Sequence, residues 1–175
     1  MKFYKTDYKS PIGKMTIYCD EKENIVGLWI EGQKYLDNIV NGEIIKNNNL
    51  KIFDKTKKWL DAYFRGQKTD IKELSLKPIG NKFKQHVWQI VREIPYGKVT
   101  TYGDIAKQIA QKMKIEKMSA QAVGGAVGHN PIPIIIPCHR VVGKNGKLTG
   151  YAAGIDIKEK LLNLEQVDLS KLAKS

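Results

Sequence analysis

Three side chains with chemistry to offer stand in a row: Cys138, His139 and Arg140. A thiol followed by an imidazole and a guanidinium suits nucleophilic catalysis, because the thiolate is the reactive form and both neighbours favour it. An ordinary thiol has a pKa of about 8.5, so only a small fraction is ionised at neutral pH without such help. The run before it, Asn130-Pro131-Ile132-Pro133-Ile134-Ile135-Ile136-Pro137, carries three prolines that bar a helix. Its apolar middle predicts buried extended chain over Ile134–Ile136, delivering Cys138 into a proline-fixed turn. The alternative is a buried structural cysteine, the commonest fate of a lone one. Cys19, alternating with Met15 and Ile17 along a strand-like stretch, fits that alternative. A metal site is not expected: Cys19, Cys138, His86, His129 and His139 show neither CxxC nor HxxxH spacing. Glu165 falls four residues after Leu161 and eight after Ile157, on the core side of a C-terminal helix. A carboxylate there needs a donor. A lysine would satisfy it; so would a histidine held in one tautomer.

The elements that must position these groups are legible from periodicity. The first third reads as strands: Met15, Ile17 and Cys19 alternate, then Val26, Leu28 and Ile30, with turns at Ser10–Gly13 and Asp20–Asn24. A helix is predicted from about Asp54 to Arg65, with Trp59, Leu60, Tyr63 and Phe64 on one face and Gly66 as its stop. Residues 67–80 are polar, end in Lys77-Pro78-Ile79-Gly80, and read as a linker. The second half is helical. Asn81 caps a helix carrying Phe83, Val87, Ile90, Val91 and Ile94, which Pro95-Tyr96-Gly97 ends. Thr101 with Asp104 opens the next helix in a capping-box pattern, and Ser119 opens a third over Ala120–Gly128. The last two form a helix-turn-helix pattern, which any αα-hairpin also produces. The third helix holds Gly124, Gly125 and Gly128, each costing about 1 kcal/mol against alanine. Close approach of a neighbouring helix or of a DNA strand would both explain them. Asp156 and Glu159 read as a capping-box-like start for the C-terminal helix.

Composition narrows the partners. The 175 residues are 42% hydrophobic and 27% charged, a globular balance. No apolar run is long enough to span a membrane, and the N-terminus lacks an apolar signal region, so no membrane partner is expected. Two cysteines make no disulfide framework, so a cytoplasmic, reducing location is the expectation. The net charge is +12 and uneven. Residues 1–80 hold 15 basic and 11 acidic side chains, residues 81–175 hold 15 and 7. That surplus suggests nucleic acid; a merely lysine-rich surface is the alternative, since only Arg65, Arg92 and Arg140 are arginines.

Pro137-Cys138-His139-Arg140-Val141, preceded by Ala122-Val123-Gly124-Gly125-Ala126 and by Asn130-Pro131, closely resembles the O6-alkylguanine-DNA alkyltransferase family. The likeness is strong over residues 81–167; the N-terminal third is similar only in length and α+β character. The resemblance implies an α+β protein. A small ribonuclease-H-like α/β domain (1–78) would precede a helix-turn-helix, winged-helix-like DNA-binding and catalytic domain (79–175). It implies one irreversible transfer of an alkyl group from O6-alkylguanine in double-stranded DNA to Cys138; whether O4-alkylthymine is also a substrate is left open by the sequence. In-line attack by a thiolate needs no cofactor, and a monomer is the default expectation, since no repeat or coiled-coil pattern suggests otherwise. His139 would deprotonate Cys138 through a bridging water, Glu165 would orient His139, and Asn130 would brace the turn before the nucleophile. Tyr102 would contact the nucleotide and help protonate the leaving guanine. Ala122 would lie on the DNA-facing helix, and Val141, Tyr151 and Ala152 would line the base pocket, Ala152 through its N–H. The loop Lys144–Gly154 would be its lid. Gln121 stands where the family usually has arginine, so base flipping is expected to be less efficient here. Two alternatives are a non-enzymatic binder of alkylated bases, which would lack the cysteine, and a redox-sensing helix-turn-helix regulator using it.

Overall fold

A computed structural model describes residues 1–33 and 40–172. The chain divides into two compact units, Met1–Ile79 and Gly80–Ser175.

In the first unit, β1 (Lys2–Ser10), β2 (Gly13–Asp20), β3 (Ile25–Ile30) and β4 (Glu43–Lys46) form one sheet in the order β3-β2-β1-β4. Both expected turns are present. Gly13, at φ 123°, closes the first, where the Ser10 hydroxyl donates to its carbonyl (2.7 Å). In the second the Asp20 carboxylate accepts from the N–H groups of Lys22 and Asn24 (3.0 and 2.9 Å). Met15, Ile17 and Cys19 are fully buried on one face. The expected alternation is softened, because Phe3, Tyr18 and Val26, with Trp29 and Val40 against them, form a second apolar cluster. β4 lacks a sequence signal. It pairs parallel to β1, Phe3 opposite Ile44, and is held by backbone bonds rather than by an apolar face.

Helix α1 (Lys51–Phe64) begins three residues before the expected Asp54. Ile52 and Phe53 are buried with Trp59, Leu60 and Tyr63, so the apolar stripe recruits an extra turn. Tyr8 on β1 donates its hydroxyl to Asp61 (2.6 Å), tying helix to sheet. Residues 67–80 are not a free linker, contrary to the sequence reading. Asp70 caps a 3-10 turn at Ile71–Glu73, and Leu74 is buried. Ile25 N–H donates to Ser75 O and Lys77 N–H to Ile25 O, both at 2.8 Å. The segment thus covers the outer edge of β3, where unpaired backbone would otherwise face water.

The second unit is built on α2 (Lys82–Arg92), α3 (Tyr102–Met113), α4 (Ala120–Gly128) and α5 (Ile155–Leu164). Asn81, Thr101 and Ser119 cap the first three as expected, accepting from Lys84, from Asp104, and from Gln121 and Ala122. α5 departs from the expectation. Gly154 is its N-cap with no side-chain bond, and Asp156 simply sits in the first turn. α2, α3 and α4 pack around Val87, Trp88, Val91, Ile105, Ile109, Val123 and Val127. Trp88 Nε1 donates to Ala126 O (2.9 Å), fixing α4 against α2. Its ring also requires Gly80, where an added Cβ would lie 2.4 Å away.

Two short strands complete the unit. β5 (Thr100–Thr101) and β6 (Val141–Val142) pair in parallel, Thr100 opposite Val141. This pairing brings the first residue of α3, Tyr102, beside the Cys138–Arg140 segment. Among the described residues no helix is long and apolar enough to cross a membrane.

Candidate active site

The stretch leading to Cys138 is buried throughout, but it is not the expected extended chain. It is a knot of tight turns. Ile135 N–H donates to Pro133 O, Ile136 N–H to Ile132 O and Cys138 N–H to Ile136 O (2.9, 2.9 and 2.8 Å). Ile134 sits at φ 72°, a left-handed conformation that costs a β-branched residue about 1–3 kcal/mol and persists only where its surroundings over-determine it. Asn130 supplies much of that constraint. Its Nδ2 donates to Ile136 O (2.8 Å) while its Oδ1 accepts from Ile132 N–H (2.9 Å). Cys138, His139 and Arg140 then form one 3-10 turn.

Behind the thiol runs a fully buried polar chain. His139 Nε2 lies 2.5 Å from Glu165 Oε2, and neither side chain is exposed. Arg140 Nε and Gly97 N–H donate to the other oxygen, Oε1, at 2.7 and 3.0 Å. Gly97 has φ 78°, and a side chain there would crowd Glu165 O. Arg140 also donates to Ile94 O (2.7 Å) and covers the Tyr96 ring. Burial alone would raise the Glu165 carboxyl. The hydrogen bonds and charges of His139 and Arg140 outweigh it and lower the pKa to about 2. Glu165 is therefore a carboxylate that only accepts, so the proton on His139 is at Nε2 and Nδ1 is the basic nitrogen. Burial holds His139 below the ordinary imidazole pKa despite Glu165, which keeps it neutral and able to take a proton.

The thiol's surroundings differ from the sequence reading. Burial pushes Cys138 up, and Arg140 is turned toward Glu165 rather than toward the sulfur. What opposes burial is a hydrogen bond from Asn130, the charge of Lys158, and backbone N–H groups. Lys158 was not anticipated. It is fully buried on α5, and its Nζ donates to Val141 O (2.6 Å) and Thr149 O (2.8 Å). Burial lowers its pKa to about 8, against support from Cys138. Its position, three before Leu161 and four before Leu162, places it on the helix's inner face, a signal the sequence does contain.

Tyr102 reaches the same place from α3. Its hydroxyl lies 3.5 Å from Thr149 O, and burial followed by the nearby Cys138 raises its pKa, keeping the phenol protonated. Val141 is fully buried, Tyr151 is buried, and Ala152 is half-buried in a turn closed by Gly154 N–H on Tyr151 O (2.9 Å). Cys138, His139, Asn130, Glu165, Tyr102, Val141 and Tyr151 thus meet in one neighbourhood. Gln121 and Ala122 stand apart, exposed on the first turn of α4. On the same helix, a Cβ added at Gly125 or Gly128 would meet nothing within 4 Å, and at Gly124 only the Tyr102 ring. Packing among the described residues therefore does not explain Gly125 and Gly128; no side chain covers their Cα positions, and the His129 ring reaches the Gly125 carbonyl (2.7 Å). Among the described residues no three His, Cys, Asp or Glu side chains gather as metal ligands.

Fold and site together define a two-unit protein whose helical second unit holds a buried cysteine, histidine and glutamate, on a 3-10 turn and the end of α5, beside the α3–α4 helix pair. Residues 3–78 match the family model described as the ribonuclease-like domain of 6-O-methylguanine DNA methyltransferase, and residues 82–167 match its DNA binding domain. The chain belongs to this methyltransferase family. It is 40% identical to the methylated-DNA–protein-cysteine methyltransferase of Haemophilus influenzae over 94% of this chain and 87% of that one. Identity to the protein of that name from Methanosarcina acetivorans is 41%, over 93% and 97%. Among solved structures, Mycobacterium tuberculosis OGT in complex with DNA superposes with a TM-score of 0.78 at 36% identity, covering 99% of this chain and 96% of that one.

Proposed function

We propose that this protein repairs DNA by moving the alkyl group of O6-alkylguanine onto its own Cys138, once per molecule. The observation that carries the reading is the buried chain from Glu165 through His139 to the Cys138 turn, set beside a helix-turn-helix with an open, glycine-lined face.

The chemistry follows from the groups. A stacked base cannot align its O6-alkyl carbon with a protein sulfur, so the nucleotide is flipped out, at a cost on the order of a few kcal/mol. α4 enters the minor groove, where its bare backbone suits the narrow space, and Gln121 and Ala122 contact the gap left behind. Val141, Tyr151 and the Ala152 N–H receive the base. His139 Nδ1 takes the thiol proton through a bridging water. The thiolate attacks the alkyl carbon in line; the C–S bond forms as the C–O6 bond breaks, and the electron pair leaves on the guanine oxygen. Tyr102 supplies a proton to the guanine, and the proton held by His139 restores the balance. No cofactor enters, and no group at the site can cleave the resulting thioether. Asn130 positions the sulfur through the turns it braces. The reading includes a monomeric protein and a cytoplasmic location, where two free thiols stay reduced.

Incubation with a duplex bearing one O6-methylguanine, followed by peptide mass spectrometry, tests the proposal. The Cys138 peptide gains one methyl group in place of hydrogen, in a one-to-one ratio to repaired guanine. Repair without that adduct, or an oxidised Cys138 with no repair, refutes it.

A further inference from the structure

Tyr151 lies on the loop between β6 and α5, with its hydroxyl sealed from solvent. In the resting protein that hydroxyl makes no hydrogen bond of good geometry. Native proteins rarely leave a buried hydroxyl unmet, and an exception beside a reactive group needs a reason. The polar group in contact with it is the Cys138 sulfur, whose charge and hydrogen-bonding contact, after burial, raise the phenol's pKa and keep it protonated.

The neighbouring polar groups are already engaged. Asn130 bonds Ile136 and Ile132, and Lys158 bonds Val141 and Thr149. His139 and Arg140 share Glu165, and Tyr102 leans on Thr149. Of the acceptors nearby, the sulfur is the one in contact with the Tyr151 hydroxyl. A neutral thiol is a weak acceptor, whereas a thiolate is charged and accepts strongly. We propose that the Tyr151 hydroxyl is a donor held in reserve for the ionised Cys138 sulfur, a catalytic group and not only a wall of the base pocket. Its contact with the sulfur is weak while the thiol is neutral and becomes a strong hydrogen bond once the proton has gone to His139, so ionisation is favoured inside a site that otherwise opposes it. The charged or titratable groups sharing the setting are Lys158 and Glu165 from α5, His139 and Arg140 from the 3-10 turn, and Tyr102 from α3. Of these, Lys158 acts on the sulfur through its charge, so the hydroxyl's effect must be read with Lys158 intact.

The inference rests on Cys138 being the nucleophile, but its test is separable from repair. Thiolate absorbance of the DNA-free full-length protein is followed against pH, each protein being compared with its own Cys138→Ser counterpart. Tyr151→Phe, which removes an unmet hydroxyl and keeps the ring, moves the Cys138 midpoint up by about one pH unit, a tenfold loss of thiolate at neutral pH. A fluorinated tyrosine at position 151, whose more acidic hydroxyl donates more strongly, moves it down. Single-turnover methyl transfer by Tyr151→Phe is about tenfold slower at neutral pH and converges on the unaltered protein at high pH. A midpoint unmoved by both changes, with transfer slowed equally at every pH, overturns the inference and leaves Tyr151 as lining. A shifted midpoint in a protein that takes no methyl group from O6-methylguanine DNA upholds Tyr151's effect and overturns the proposed function instead.

Discussion

Each unit buries one cysteine, and the two sites treat it differently. Cys19 lies in the β-sheet of the first unit, beside Met15 and Ile17. Burial, then the charges of Asp20 and Glu23, push its thiol up to about 12, and a single backbone bond from Tyr4 opposes them. Cys138 is also pushed up by burial, but Asn130, Lys158 and backbone N–H groups pull the other way. A histidine with its basic nitrogen defined by Glu165 follows it directly in the chain. Burial therefore does not distinguish the two thiols. The sign of the surrounding charge does, together with a base that can take the proton.

The comparison breaks most sharply if the two cysteines are exchanged for serine in turn. Cys138→Ser abolishes methyl transfer, while Cys19→Ser leaves the transfer rate unchanged and lowers stability by about 1–3 kcal/mol by placing a hydroxyl in an apolar sheet. Single-turnover repair assays and urea melts read the two effects. Transfer surviving in Cys138→Ser would erase the distinction.

Glu165→Gln comes next. It removes the carboxylate that orients His139 and leaves Arg140 without its partner, so transfer falls by about 10²–10³-fold and stability by about 3 kcal/mol. The same group sets an acid limit. Its folded pKa of about 2 lies below the ordinary 4.5, so its stabilisation is complete above pH 4.5 and is lost as pH falls toward 2. His139, held neutral by burial, adds loss in the same direction as the unfolded chain gains a proton below pH 6.5. Acid titration of the urea midpoint checks this: Glu165→Gln flattens the lower part of the curve.

Lys158→Met makes the Cys138 site more like that of Cys19 by deleting its nearest cation. Thiolate at neutral pH drops by about tenfold, and transfer with it. The folded pKa of Lys158, about 8, lies below 10.5, so the unfolded chain holds the extra proton between these values and stability rises with pH across that window. The rise disappears in Lys158→Met. A variant that keeps both the rise and the wild-type thiol titration would show that Lys158 does not act on Cys138.

The smallest expected effect lies outside both thiol sites. Gln121→Arg adds charge at the exposed start of α4 and is expected to speed base flipping only by about two- to threefold without moving either thiol's titration. Stopped-flow fluorescence of a base analogue measures it, and an unchanged or slower rate shows glutamine to be fully competent.

The caps at Asn81, Thr101 and Ser119 and the stripes of α1 and α2 could be read directly, because each depends on residues a few positions apart. The motif around Cys138 and the inward direction of Glu165 were equally local. β4, the β5–β6 pairing and the covering of β3 by residues 74–77 were not legible. They are held by backbone bonds between distant segments and leave no side-chain pattern. The Ile134–Ile136 stretch misled for a related reason. Its apolar run fits buried strand or buried turn equally, and Asn130's bonds at both ends decide for the turn.

From the residues alone came the candidate nucleophile, its adjacent histidine, the capping pattern of the helices and the basic surplus of the second half, since these are properties of residue type and short spacing. Only the folded chain turned Arg140 away from the sulfur, brought Lys158 and Tyr151 to it, and showed the glycines of α4 to be open. Those facts depend on which carbonyls and carboxylates lie within hydrogen-bonding distance after packing, and distance between remote segments is not written in local sequence.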